Sequence, residues 1–373
     1  MTLEIREGDR KAAFDAALNA YGADSLYVPP LWSDFERMFD PAKNPFITEG
    51  HGRYALLSAH RDGRPVGRIA ASIHDESNRK HGTRHGAFGF FDCVDDAEVA
   101  DLLLRTAEHW LAARGMSRVS GNFNLTAMQQ IGVVTEGFDH APFTDMMWSP
   151  PHVARHLERA GYMATFPMTT FEIALDGGKP EQLLGDKQRA VLKDPDFVWQ
   201  PIKRSAFKAR LEDARIILND GFADNPMFVP PTAAEYLFQA GDMMWIIDKR
   251  ISTVVYHRGR PAGAIIAIPD LNPLVKAIGG RIGLSAPFKF LRHRANNTRA
   301  VVIYQSVCRD LHNRGLNGAM LYRTALALQA AGYRTLGGTW IADINGPSLR
   351  QAAKVGAKPL HRLHLFTKRL PGA

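Results

Sequence analysis

A stretch of this chain returns in the same order roughly 200 residues later, and that repeat narrows the possible folds more than any single motif. Val28-Pro29-Pro30, after Tyr27, returns as Val229-Pro230-Pro231 after Phe228. His60-Arg61-Asp62-Gly63-Arg64-Pro65-Val66-Gly67 returns as His257-Arg258-Gly259-Arg260-Pro261-Ala262-Gly263. Leu103-Leu104-Arg105-Thr106-Ala107 returns as Leu321-Tyr322-Arg323-Thr324-Ala325. Three matches in one order, differing in spacing only by insertions, imply two copies of one domain. The length agrees, because 373 residues exceed what one hydrophobic core usually serves. The expected division is 1–175 and 176–373.

Composition is that of a soluble globular protein, with 45% hydrophobic and 23% charged residues. No apolar run is long enough for a membrane span, and the first residues lack the basic-then-apolar order of a signal peptide, so a cytoplasmic protein is expected. Cys93 and Cys308 are too few for a disulfide framework and lack zinc spacing, so both read as packed thiols. His81 and His85 have ligand-like spacing but no third partner nearby, and no metal is expected. A nucleic-acid motif with stacking aromatics is also lacking.

Each copy carries the same coarse order of elements. Helical patterns at 10–19 and 31–39 lead to alternating runs at 54–59 and 66–73, joined by the turn residues Asp62-Gly63 as in a hairpin. A run at 87–94 precedes a helix starting near Asp95-Asp96 and closed by Arg114-Gly115, and a strand follows at 118–123. In the second copy the counterparts are 245–256, 262–268, 300–307, a helix at 318–331 and a strand at 335–341. The fold class expected is α/β, or α+β, with two tandem domains, each a central mixed sheet flanked by helices.

The stretch Val307-Cys308-Arg309-Asp310-Leu311-His312-Asn313-Arg314-Gly315-Leu316-Asn317-Gly318-Ala319 follows a strand and opens a helix. It resembles the Val-x-Pro-x-x-Arg-Gly-x-Gly-x-Gly signature of the GNAT superfamily of acyl-CoA-dependent N-acyltransferases, here in a tandem arrangement over nearly the whole chain. A helix N-terminus opened by small residues turns backbone N–H groups and the positive dipole end toward a pyrophosphate. Gly315 and Gly318 supply room, and Arg309 and Arg314 supply charge. His312 stands in a usual arginine or glutamine place, and Asn317 in a usual glycine place.

A second block agrees: Asn345-Gly346-Pro347-Ser348, a helix through Ala353, then Lys354-Val355-Gly356-Ala357. In the family the asparagine bonds the pantetheine arm. The resemblance therefore implies acyl-CoA as co-substrate in the second domain, held by Val307, Arg309, His312, Asn313, Arg314, Gly315, Asn317, Gly318 and Asn345. The first domain's equivalent turn, Phe91-Asp92-Cys93-Val94-Asp95-Asp96, has no glycine and three acids, and like charge excludes a pyrophosphate there.

The family's reaction is attack of an amine on a thioester, which needs an oxyanion donor, a base for the ammonium and a proton for the thiolate. The donor expected is an amide near 306–308. The family's frequent acid is a tyrosine four residues before the Lys-x-Gly glycine, where this chain has Ala352, so either the thiolate leaves unassisted or Tyr304 on the neighbouring strand serves. For the base the richest stretch is 132–145, where Glu136, Asp139, His140 and Asp145 lie on a loop bordered by glycines and a proline. His140 is the natural base by its ordinary pKa, with Asp139 or Asp145 to orient it. A solvated inter-domain loop whose acids cap turns is the competing reading.

The formal net charge of +8 is unevenly spread, since no acid occurs from 271 to 309, whereas Lys276, Arg281, Lys289, Arg292, Arg294, Arg299 and Arg309 are basic. Large apolar residues interleave with them, as in a segment that meets an anionic membrane surface. A packed cap over the core, or a basic set serving only the CoA phosphates, would leave the same pattern. With the 124–139 stretch, this insertion is most similar to the bacterial ceramide synthase group, which acylates a sphingoid long-chain amine. The resemblance implies an N-acyltransferase forming an amide from acyl-CoA and a lipid amine, and the basic, apolar insertion points to a peripheral place on the inner face of the cytoplasmic membrane. An acetyl- or aminoacyltransferase acting on a soluble amine or peptide, and an inactive GNAT-like scaffold binding lipid or protein, remain the alternatives.

Overall fold

In the computed structural model, which describes residues 2–126, 129–224 and 228–371, the chain divides into two compact units. The first holds the chain up to Met168 and regains Asn272–His293 and the residues from His361 on. The second holds Thr169–Leu271 and Arg294–Leu360. The division by contacts is therefore not the contiguous 1–175 and 176–373, since two later stretches return to the first unit.

The first unit opens with β1 (Leu3–Glu7), α1 (Arg10–Tyr21), α2 (Trp32–Met38), α3 (Pro45–Thr48), β2 (Gly52–Arg61) and β3 (Arg64–His74). It continues with α4 (Asp75–His81), β4 (His85–Cys93), α5 (Ala97–Ala112), β5 (Arg118–Gly121), β6 (Val133–Glu136) and α6 (Pro151–Arg159), and β7 (Met163–Ala174) carries the chain onward. The second unit continues with α7 (Asp186–Lys193), β8 (Phe197–Pro201), α8 (Phe207–Gly221), α9 (Ala233–Ala240), β9 (Thr253–His257) and β10 (Arg260–Pro269). α10 (Asn272–Ala277) and the start of α11 (Ala286–Asn296) belong to the first unit. β11 (Arg299–Val307), α12 (Leu316–Ala330), β12 (Thr335–Ala342) and α13 (Gly346–Lys354) belong to the second, and β13 (Lys358–Arg369) ends in the first.

The strand orders repeat as the residues do. In the first unit β1, β2, β3 and β4 pair antiparallel in sequence and β4 pairs β5 parallel; in the second, β8, β9, β10 and β11 pair antiparallel and β11 pairs β12 parallel. The two hairpin turns match in backbone as well. Asp62 and Gly63 have φ of 49° and 81°, Arg258 and Gly259 have 51° and 78°, and two successive positive φ values are what a right-twisted two-residue hairpin requires. The glycine closing each repeated motif admits the helix of the strand–helix–strand unit. A Cβ on Gly67 would stand 2.8 Å from Leu103 of α5, and one on Gly263 would stand 2.9 Å from Met320 of α12.

Each unit has its own core. In the first, Val99, Leu103, Leu104 and Leu111 of α5 pack with Leu57, Ile69, Phe88 and Phe366. In the second, Leu316, Ala319 and Met320 of α12 pack with Val255, Ile265 and Val307. Cys93 is fully buried and Cys308 half-buried, and burial raises both thiols, that of Cys308 to about 11. The strand expected at 245–256 is shorter, beginning at Thr253. Upstream, the Arg204 guanidinium takes the carbonyls of Met244 and Trp245, which a ladder would need.

Candidate active site

β11 delivers the turn singled out by sequence. Cys308, a short 3-10 turn at Arg309–Leu311 and the exposed His312, Asn313 and Arg314 lead to Gly315, which caps α12 with φ of 96°. No side chain caps α12, and the amides of residues 315–318 meet no acceptor among the described residues. Such a helix start keeps unpaired N–H groups and the positive dipole end for an anion. His312 donates from Nε2 to the Val307 carbonyl at 2.9 Å, Arg314 has no ionic partner among the described residues, and the Lys187 ammonium reaches the Asn313 carbonyl at 2.9 Å.

Several expected ligands have other partners in the fold. The Arg309 amide donates to Asp220 at 2.7 Å, and its guanidinium faces Asp220 and Asp224, each at 3.4 Å. Asn317 bridges Gln305 of β11 and Gln351 of α13, and Asn345 caps α13 by accepting from the Ser348 amide at 3.2 Å. A Cβ on Gly315 would lie 2.7 Å from the Lys187 backbone, and one on Gly318 would lie 3.0 Å from Gln188, so both glycines admit α7. Sequence alone did not single out α7, because nothing in Asp186–Lys193 marks its packing partner.

β11 and β12 pair only through Arg299–Val302 and Thr335–Gly338, after which β11 runs to Val307 and β12 to Ala342 with no ladder between them. Residues 302–305 and 338–341 are only half-buried there, as the walls of an open slot would be. The Cys308 amide is bonded to the Ala262 carbonyl of β10 at 2.9 Å. Strand alternation then turns the Val307 N–H to the opposite side, toward the parted β12. Tyr304 stands on the α8 and α9 face, with its ring 6.1 Å from that of Tyr236, whose hydroxyl is buried and held protonated by desolvation.

In the first unit the same place is filled. The Phe90 and Phe91 amides of β4 donate to the side chains of Asn124 and Asn122 at 2.9 and 3.4 Å, and the Phe123 amide donates to the Phe88 carbonyl at 2.7 Å. Both asparagines are buried and bonded to each other. The Asp96 carboxylate caps α5, accepting from Glu98 and Val99 at 2.9 and 3.3 Å, where a phosphate would sit. Asp92 points inward to a buried pair with Arg68 at 2.7 Å and accepts from the Tyr21 hydroxyl at 2.8 Å. Asp95 meets Arg155 at 2.9 Å. All three acids are thus in use within the fold, one of them as the helix cap itself.

Glu136 lies not on the expected loop but at the end of β6, opposite Arg362 of β13, and Asp139, His140 and Asp145 follow on the loop after it. Glu136, Asp139 and His140 are exposed, and His140 Nε2 lies 3.8 Å from Asp139, beyond hydrogen-bond reach. Asp145 is half-buried at φ of 69°, with no hydrogen bond or ion pair to its carboxylate among the described residues. Burial pushes its pKa up to about 7. Its loop is fixed by Gln130 donating to the Met146 carbonyl, Trp148 to that of Phe138 and Asn272 to that of Pro142, at 3.2, 3.0 and 3.0 Å. His361, buried, donates to the His140 carbonyl at 3.0 Å, and burial holds its pKa below the usual value. Ala127 and Met128, within the stretch likened to ceramide synthases, lie outside the described residues.

No family model matches the chain. Among proteins of known sequence it is 30% identical over 274 residues to the bacterial ceramide synthase of Caulobacter vibrioides, covering 73% of this chain and 70% of that one. It is 26% identical over 381 residues to Protein YghO of Escherichia coli, covering 98% and 94%. Among solved structures it resembles a tandem GNAT protein from the clavulanic acid biosynthesis pathway, with a TM-score of 0.60, 12% identity and all of both chains covered. It also resembles a GCN5-related N-acetyltransferase from Sphaerobacter thermophilus, with a TM-score of 0.52, 12% identity and coverage of 100% and 97%. The chain belongs to the family of the bacterial ceramide synthase, built on the tandem GNAT N-acyltransferase fold.

Proposed function

We propose that this protein joins the acyl group of an acyl-CoA to a long-chain, sphingoid-like amine at an anionic membrane surface, on its cytoplasmic face. The second unit is the acyl-CoA-binding one, and the first keeps the fold without the cofactor. The observation that carries the reading is the contrast at the two equivalent turns: an uncapped helix start beside parted strands in one unit, a carboxylate cap beside an asparagine-filled gap in the other. The lipid acceptor is inferred from the ceramide synthase relative.

Acyl-CoA supplies the thioester. The amides at 315–318, with Arg314, Lys187 and His312, receive its phosphates; Val307, Asn313, Asn317 and Asn345 line the way inward, and Arg309 braces the turn through Asp220. The Val307 N–H faces the gap and donates to the oxyanion formed when the amine nitrogen attacks the carbonyl carbon. As the C–N bond forms and the C–S bond breaks, one proton leaves the ammonium and one reaches the thiolate. Of the candidate groups, Asp145 suits the first transfer, having no partner among the described residues and being poised near neutrality; Glu136, Asp139 and His140 are the solvated candidates. Tyr304 suits the second, since Ala352 has no proton to give.

Calorimetric titration of the full chain with acyl-CoA, together with mass-spectrometric detection of the amide, tests this. One site per chain is expected, and Arg314→Glu should weaken affinity at least about tenfold, because a repulsive charge replaces an attractive one at a phosphate. Two sites per chain, or unchanged affinity, would overturn the cofactor assignment. Equal turnover of short soluble and long-chain amines would overturn the lipid acceptor.

A further inference from the structure

We infer that the turn after α10 and the first two turns of α11 form a membrane-insertion edge that enters an anionic bilayer. This rests on the lipid-amine reading above and names the part of the surface that would meet the lipid. Ile282 and Leu284 stand on the turn that feeds α11, and Phe288 and Leu291 lie one helical turn apart on it. Ile282, Phe288 and Leu291 are 71%, 72% and 63% exposed, and Leu284 is fully exposed. Isolated exposed apolar residues are ordinary, but four large ones within ten residues make a patch that water disfavours.

The edge is held out on a fixed base. The Lys276 ammonium is bonded to the Ser25 carbonyl, Arg281 pairs with Asp15 at 2.6 Å and lies over the ring of Phe14, and the Trp32 amide donates to the Gly280 carbonyl at 2.7 Å. Lys289 donates to the Ala277 carbonyl at 2.8 Å, tying α11 back to α10, and Ala286 is buried. Lys276 and Arg281 therefore serve the fold, and the apolar tip is presented by structure around it.

Charge selects the occupant. From 271 to 309 the chain has no acid, and Lys289 and Arg292 flank the apolar tip. Apolar side chains with basic neighbours suit an anionic lipid surface, where acyl burial and headgroup attraction add. A second copy of the chain would bring the same positive tip against itself, which like-charge repulsion opposes.

The full chain is sedimented with vesicles of phosphatidylcholine alone and of phosphatidylcholine with phosphatidylglycerol, and its thermal melting and oligomeric state are followed in parallel. The parent should partition to the anionic vesicles. The double variant Leu284→Ser, Phe288→Ser should bind at least roughly tenfold less, because two buried side chains are lost from the contact, with unchanged melting because both are exposed in the fold. Ile216→Ser, at an exposed apolar residue of the second unit, should bind as the parent does. Parent-like binding by the double variant, no binding by the parent, or a parent dimer that the double variant abolishes would each overturn the edge. Amide formation from a long-chain amine in detergent micelles separates this from the lipid-amine reading. Turnover in micelles without vesicle binding removes the edge and keeps the acceptor. Vesicle binding without turnover of that amine keeps the edge and removes the acceptor.

Discussion

At the scale of single residues, Asp145 separates itself from its loop neighbours by environment alone. Among four ionisable groups in ten residues the sequence favours the histidine; in the fold, His140 is 52% exposed on its side chain, and the Asp145 carboxylate has no hydrogen bond or ion pair among the described residues. A carboxyl raised from 3.8 to about 7 binds more protons folded than unfolded between those values, so its contribution to stability is full below pH 4 and is lost as pH rises through 7. Asp145→Asn should therefore melt higher than the parent at pH 8 and equal to it near pH 4. If Asp145 is the base, turnover of the parent should rise with pH about a midpoint near 7, and the variant should lose about 10² to 10⁴ in rate. A variant of full activity would leave the role to His140, Asp139 or Glu136. The sequence carried the candidates, but burial is set by residues distant in the chain, such as Gln130 and Asn272, which hold the loop.

Among the elements, the start of α12 decides what the glycines are for. Sequence reasoning reads Gly315 as room for phosphate, whereas its positive φ and the Lys187 backbone 2.7 Å from a Cβ make it a packing requirement of α7 on α12. Gly315→Ala should accordingly destabilise the ligand-free protein by about 1–3 kcal/mol in chemical denaturation, from backbone strain and displacement of α7. Unchanged stability with lost acyl-CoA affinity would restore the phosphate reading. Arg314, exposed and outside this packing, is for that reason the better probe of the anion site. The asparagines at 122 and 124 illustrate the reverse case. Their side chains imitate the missing strand edge of β4, a role visible only once β5 is seen to end at Gly121.

For the whole molecule, the end of the chain belongs to the first unit although the repeat assigned it to the second copy. β13 pairs β5 and β6 and buries Phe366 in the first core, where Leu370 just after it also lies, and its Lys368 meets Glu108 of α5 at 2.8 and 2.9 Å. Truncation after Leu360 should open β4, β5 and α5 to hydrogen exchange while leaving β9, β10 and α12 protected. Uniform loss of protection would mean that the two units unfold as one.

The residue pattern by itself determined the duplication, the hairpins, the strand–helix–strand units and the family, because periodicity, turn chemistry and repeated motifs act over a few residues at a time. Asp62-Gly63-Arg64-Pro65-Val66-Gly67 and its copy Arg258-Gly259-Arg260-Pro261-Ala262-Gly263 specify the same turn and the same helix packing. Tertiary structure alone decided which acids face water, which glycines admit a neighbouring helix, that β13 closes the first unit, and that Ile282, Leu284, Phe288 and Leu291 are left uncovered. Those outcomes depend on what lies across space from each side chain, and desolvation, pairing and packing have no counterpart in the order of the residues.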